Sequence, residues 1–328
     1  MAVSREFAYS IPKAELHLHL EGTLEPDLKL ELAKKNGIDI GQETVEEVEA
    51  SYEFDSLTSF LAVYYPAMNV LQDEDDFYAL GSAYFARAKE NGVVRAECFF
   101  DPQAHTTRGV ELEAVIRGYY RAVEEARENG VSADLILCFL RDMSAESALE
   151  TLRAALPYKD MFVGVGLDSD ERDNPPQKFA EAFDLARENG LRVTMHCDID
   201  QIGSIDNIRT ALTKLGAERL DHGTNIIEDP ELVKLVVEKG IGLTSCPMSN
   251  SFVTEEMKGK EIVDLLGRGV KVSINSDDPA YFGGYIADNF LALAEKENLT
   301  NEQIAQLARN SIEISWAEES ERSAMLDS

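Results

Sequence analysis

Eight short runs rich in apolar and β-branched residues recur along this chain, at 14–20, 94–100, 133–140, 162–167, 192–197, 219–222, 242–246 and 271–275. Amphipathic stretches at 110–128, 144–156, 176–189 and 230–239 lie between them. The last is a clear helix, with Leu232, Val233, Leu235, Val236 and Val237 forming an apolar face and Gly240 ending it. Asn-Gly pairs at 129–130 and 189–190 fall just before strands, where a helix C-terminus favours a left-handed residue. Strands alternating with helices pair in parallel through right-handed crossovers. Eight such units predict an α/β fold of the (β/α)8 TIM-barrel type rather than a doubly wound sheet. Two pieces decorate it, a helical insertion after strand one at about 25–90 and a helical extension after Pro279. No linker, repeat or low-complexity tract divides residues 1–328, so the expectation is one domain.

Composition narrows the function. With 31 Lys+Arg against 61 Asp+Glu the net charge is −30, which argues against nucleic-acid binding through clustered cations. The acidity reads as solubility, with adaptation to salt as the alternative. Hydrophobic residues reach 44%, too many for a disordered acidic chain. No run of about 18 apolar residues occurs and the first residues carry no apolar leader segment, so no membrane partner and a cytoplasmic location are expected. Cys98, Cys138, Cys197 and Cys246 are widely spaced, suggesting neither a disulfide framework nor a thiolate metal site. No motif fixes the oligomeric state, and a homo-oligomer stays open.

Of five histidines, His17, His19, His196 and His222 fall at the C-terminal ends of predicted strands, the edge that carries barrel chemistry. His17 and His19 are two apart and project to one side of a strand, a half-set of ligands for zinc or another divalent ion. His196 ends strand five. Asp277-Asp278 ends strand eight before Pro279, and adjacent carboxylates repel unless a cation makes the pairing favourable. His222 precedes Gly223, where backbone can approach a ligand. Ligand type alone leaves zinc, iron and manganese open.

The stretches His17-Leu18-His19-Leu20-Glu21-Gly22-Thr23, Leu220-Asp221-His222-Gly223 and Ser273-Ile274-Asn275-Ser276-Asp277-Asp278-Pro279 resemble the adenosine/adenine deaminases of the amidohydrolase superfamily. So do Phe99-Phe100-Asp101-Pro102-Gln103-Ala104-His105 and Gly164-Val165-Gly166-Leu167-Asp168-Ser169, which are most like the microbial adenine deaminase branch. The resemblance runs from about Pro12 to Trp316. It implies one Zn2+ per chain, bound at the positions of His17, His19, His196 and Asp277. It also implies that His222 contacts the metal-bound water and that Asp278 hydrogen-bonds the purine at N7. Asp168 and Ser169 would contact the purine, and Glu21 matches an acidic residue that reaches ribose in nucleoside-using relatives. The implied reaction is hydrolytic deamination at C6 of a small-molecule purine, adenine to hypoxanthine and ammonia. N6-substituted adenine and adenosine are the alternatives, and a catalytically silent purine-binding barrel is the reading from another class. No lysine ends strand four, so the carboxylated-lysine bridge of two-metal relatives is not expected.

One departure stands out. The family usually carries His-Ala-Gly-Glu at the end of strand five, its glutamate protonating N1. This chain reads His196-Cys197-Asp198-Ile199-Asp200-Gln201, which aligns Ile199 with the acid. Asp198 shares the metal-facing side of a continuing strand and is the preferred substitute, with Asp200 in reserve. His105 is expected to be structural, and Trp316 with Tyr64-Tyr65 to pack in core or lid.

Overall fold

The computed structural model describes residues 3–197, 200–254 and 256–327. Eight parallel strands pair in sequence order: β1 (Lys13–Glu15), β2 (Val93–Phe100), β3 (Ser132–Leu140), β4 (Gly164–Asp168), β5 (Arg192–His196), β6 (Arg219–Asp221), β7 (Gly242–Ser245) and β8 (Lys271–Ile274). Each follows its predecessor through a helical crossover, as the apolar runs predict. They read as near-continuous apolar segments because a parallel sheet is covered on both faces.

Closure between β8 and β1 is the least regular part. The expected strand 14–20 is a ladder only over Lys13–Glu15, continued by isolated bridges Leu18↔Asp277 and His19↔Phe99. Here the Asn275 side chain accepts the Leu16 amide at 2.8 Å, in place of a backbone carbonyl. Beyond it the chain rejoins both neighbours, with His19 N donating to Asp277 O at 3.0 Å and Phe99 N to Leu18 O at 2.8 Å. The segment carrying the histidine pair is thereby sewn to β8 on one side and β2 on the other.

The base of the barrel is a charged plug rather than an aliphatic layer. Glu97 of β2 accepts from Arg95 Nε at 3.1 Å and Arg219 Nη1 at 2.5 Å, and Trp316 lies over the Arg219 guanidinium at 4.3 Å. Trp316 is therefore a core residue.

The insertion after β1 supplies helices Pro26–Asn36, Val45–Ala50, Leu57–Ala67 and Glu74–Glu90. The extension supplies Pro279–Phe282, Ile286–Glu297, Asn301–Glu313 and Glu319–Leu326. A helix at Arg5–Ser10 precedes β1; its six residues are too few to show a periodic face, and its signal is the Ser4 side chain capping Phe7 N. Helix Pro230–Lys239 agrees with expectation end to end, because Asp229 caps Glu231 N and Leu232 N, Pro230 occupies the first turn and Gly240 takes φ 65°. Among the described residues no helix is long and apolar enough to cross a membrane.

Candidate active site

His17, His19, His196 and Asp277 converge at the C-terminal mouth of the barrel, each offering a ligand atom within 4.8 Å of the others. His17 Nε2 lies 3.2 Å from Asp277 Oδ1, and His19 Nε2 lies 3.4 Å from the same oxygen. His19 Nε2 and His196 Nε2 approach to 3.1 Å, and buried His17 Nε2 has no hydrogen-bond partner. Ring nitrogens aimed at one another around a carboxylate are the arrangement a divalent cation would relieve. Three imidazoles and one carboxylate also fit zinc-type coordination.

The second layer fixes the rings. His17 Nδ1 lies 3.0 Å from Thr244 Oγ1 and 3.2 Å from its carbonyl, which makes Nδ1 the protonated nitrogen and turns the Nε2 lone pair inward. Thr244 Oγ1 donates in turn to Asp221 Oδ1 at 3.0 Å, and Thr194 Oγ1 to Asp221 Oδ2 at 2.8 Å. Asp168 Oδ2 stands 3.4 Å from His19 Nδ1, and Asp221 Oδ2 stands 3.7 Å from His196 Nδ1. Burial pulls the pKa of His19 down to about 4 and that of His222 to about 3, and with the neighbouring imidazoles holds His196 well below the usual value. All three are thus neutral, the form that binds a metal. Burial opposes ionisation of Asp277, but the His17 imidazole, with His222 and His19, holds its carboxyl well below the usual range.

Three candidate site residues sit in the left-handed backbone region, Ser169 at φ 72°, His222 at φ 58° and Asp277 at φ 65°. Each lies just beyond a strand, where the chain leaves the ladder sharply, and His222 Nε2 comes within 3.7 Å of Asp277 Oδ2. Gly22 is required beside Asp277, since a Cβ there would lie 2.7 Å from Asp278 Cα.

Above the cluster opens a cleft. Its floor is His19, His196, His222 and Asp277; Asp101, Asp168, Glu171 and Asp278 contribute carboxyl groups to its lining. Leu57, Phe60, Leu61, Tyr64 and Tyr65, all from helix Leu57–Ala67, join Val253 and Phe282 as an apolar wall. Burial raises the carboxyl pKa of Asp168 to about 7 and that of Asp278 well above the carboxylate range, the latter helped by neighbouring Asp277. A buried carboxylic acid held protonated is a hydrogen-bond donor.

The other residues singled out in the sequence divide by position. Ser169 lines the cleft, and its Oγ accepts from Tyr65 OH at 2.8 Å. Glu21 is fully buried, accepts from His105 Nε2 at 2.9 Å and from Asp101 N at 3.3 Å, and does not reach the cleft lining. Asp200 is exposed and paired with Lys258 Nζ at 2.9 Å, in a polar recess beside the cleft. Asp198 lies outside the described residues. Asp101 and Glu171 were not singled out, although both follow strand ends: Asp101 directly after β2, and Glu171 three residues beyond β4. A carboxylate just past a barrel strand was the available signal.

An eight-stranded parallel barrel with three imidazoles and a carboxylate gathered at its mouth defines a barrel protein equipped to hold a metal ion, the architecture of amidohydrolases. The chain belongs to the adenosine deaminase family, whose model matches residues 12–328. An adenine deaminase of Hahella chejuensis is 48% identical over 325 residues, covering 98% of this chain and 97% of that protein. An uncharacterised deaminase of Schizosaccharomyces pombe is likewise 48% identical, over 98% of this chain and 95% of its own length. Among solved structures, an adenine deaminase from Arthrobacter aurescens superposes with a TM-score of 0.93 at 44% identity, covering 97% of this chain and 98% of that one. An amidohydrolase from Burkholderia ambifaria, solved with bound Zn, gives 0.89 at 25% identity, over 99% of this chain and 92% of that one.

Proposed function

We propose that this protein hydrolyses the C6 amino group of adenine, giving hypoxanthine and ammonia, with one zinc ion held by His17, His19, His196 and Asp277. The observation that carries the reading is the convergence of those four groups, with His222 beside them, on the floor of one cleft. When bound, the cation supplies Lewis acidity and brings the pKa of water toward ~7.

The chain's own residues do the rest. His222, neutral and adjacent to Asp277, takes up a proton at Nε2 during attack on C6 and returns it to the departing amine. Asp278 donates from its protonated carboxyl to N7 and so orients the ring. Asp168 keeps the His19 ring in place through Nδ1. Asp198 is assigned as the donor to N1, where the family glutamate is replaced; Asp200 is the reserve, at present engaged with Lys258. The wall of helix Leu57–Ala67 excludes bulk water from the face of the purine.

A free base is favoured over a nucleoside for two reasons. Glu21, the carboxylate that would reach ribose, is fully buried outside the cleft lining, with Oε1 held by His105 and Asp101. The relatives compared include adenine deaminases matched over nearly their full length.

The test is ammonia release by zinc-loaded protein from adenine, adenosine and N6-isopentenyladenine in parallel. Adenine should be turned over fastest, and Asp198→Asn should lower kcat by roughly 10²–10⁴-fold. Faster turnover of adenosine or of the N6-alkyl base would reassign the substrate. Silence on all three with zinc bound would leave a purine-binding barrel.

A further inference from the structure

We propose that Glu171 accepts the imidazole-ring N–H that adenine carries and a nucleoside lacks, making the cleft selective for the free base. The inference rests on the purine reading above and adds the residue that sets its specificity.

Glu171 is 5% exposed and lines the same cleft as His196 and His222. Its backbone is held in a tight turn: Asn174 N donates to Glu171 O at 3.1 Å, and Gln201 Nε2 reaches the same carbonyl at 3.4 Å. Behind it stands Arg141, fully buried just beyond β3. The guanidinium donates from Nη1 to His196 O at 2.8 Å and from Nε to Asn174 O at 3.0 Å. Those bonds place Nη1 4.0 Å from Glu171 Oε2. Arg141 therefore ties the carbonyl of a metal-set histidine, the turn and the Glu171 carboxylate into one unit.

The Arg141 guanidinium gives the Glu171 carboxylate a positive neighbour out of water. An ionised carboxylate is acceptor-only. Of the four carboxyl groups that line the cleft outside the metal set, Glu171 is the one with an arginine against it among the described residues.

Adenine offers few donors to such a group. N1, N3 and N7 of its common tautomer are acceptors, and the C6 amino group is committed to the reacting end at the metal cluster. The remaining donor is N9–H. In a nucleoside that nitrogen bonds to the sugar, so a buried charge would be left facing carbon. A site built to hydrogen-bond an N–H rejects an analogue lacking it far more strongly than an apolar pocket rejects an extra group.

The test compares adenine with 9-methyladenine, which keeps the amino group and the ring but replaces N9–H by N–CH3. The wild type should prefer adenine in kcat/KM by ~10²-fold or more. Glu171→Gln should lose most of its activity on adenine and change less than about threefold on 9-methyladenine, collapsing the preference, with zinc content unchanged. A parallel fall on both substrates, or no fall on adenine, would overturn the assignment. Should the variant not fold, competitive inhibition of the wild type decides: purine should bind at least ~10²-fold more tightly than 9-methylpurine, and equal inhibition would overturn the proposal. Absence of adenine turnover by the wild type strikes the functional reading instead, and the inhibition comparison still reads Glu171's partner.

Discussion

His222 and Asp277 occupy backbone conformations that cost an L-residue roughly 1–2 kcal/mol each. Such positions persist only where surrounding contacts over-determine them, and both lie at the convergence point. Asparagine tolerates the same region, so Asp277→Asn removes the charge with little change to the turn. Metal affinity should fall by at least ~100-fold while the far-UV circular dichroism is retained; metal content after dialysis measures it. At the opposite end, Lys13 is fully buried with Nζ donating to Asn91 O at 2.5 Å. Burial pulls its pKa down to about 7 against partial compensation from Glu15. Between about pH 7 and the unfolded value near 10.5 the unfolded chain holds a proton that the folded chain has released, so stability rises with pH. Below pH 7 both states are protonated and this contribution is flat. The unfolding free energy of the wild type minus that of Lys13→Met should therefore climb by up to ~1.4 kcal/mol per unit from pH 7 to 10. Urea titrations at several pH values would show it; parallel profiles would contradict the buried-ammonium account.

Helix Leu57–Ala67 couples local sequence to the cleft. It is held at its start by a reciprocal cap in which Ser56 Oγ accepts from Ser59 N at 3.2 Å and Ser59 Oγ accepts from Ser56 N at 3.0 Å. One face carries Leu57, Phe60, Leu61 and Tyr64 to the cleft, and the same helix positions Tyr65 against Ser169. Ser56→Ala removes half of that cap, a loss of about 1 kcal/mol at the helix end. Because that end forms the wall and supplies none of the metal set, KM for adenine should rise severalfold with zinc content and kcat nearly unchanged. A matching fall in kcat would mean the helix also positions the reacting groups.

For the whole molecule, the proposed metal set would act as a clasp across the barrel. Its members come from the segment after β1, the end of β5 and the loop after β8, so a bound ion ties together parts of the chain up to 260 positions apart, from His17 to Asp277. Anything that binds the folded chain alone stabilises it by mass action. Dialysis against a chelator should lower Tm by ~10 °C, and added zinc should restore it, as read by calorimetry. The charged plug of Glu97, Arg95, Arg219 and Trp316 at the opposite end involves none of these groups, so the base should hold its structure when the mouth loses its ion.

The alternation of apolar runs and amphipathic stretches was enough to predict the barrel, its helical insertion and its C-terminal helices. Burial along one element repeats with that element's own period, so it is written in consecutive residues. The same locality made helix Pro230–Lys239 readable to its ends, and put His17 and His19 on one side of a strand. It failed where one segment answers to another. Strand one leaves its ladder early because a side chain from beyond β8 takes the Leu16 amide. Glu21, set beside the histidine pair in sequence, is drawn from the cleft by His105, 84 positions away. Glu171 enters the cleft with a countercharge from Arg141, 30 positions earlier. Sequence by itself determined the elements and the chemical kinds of group at the strand ends. Tertiary structure decided which of those groups face the cleft, because a side chain's partner there comes from a different loop whose distance no local pattern encodes.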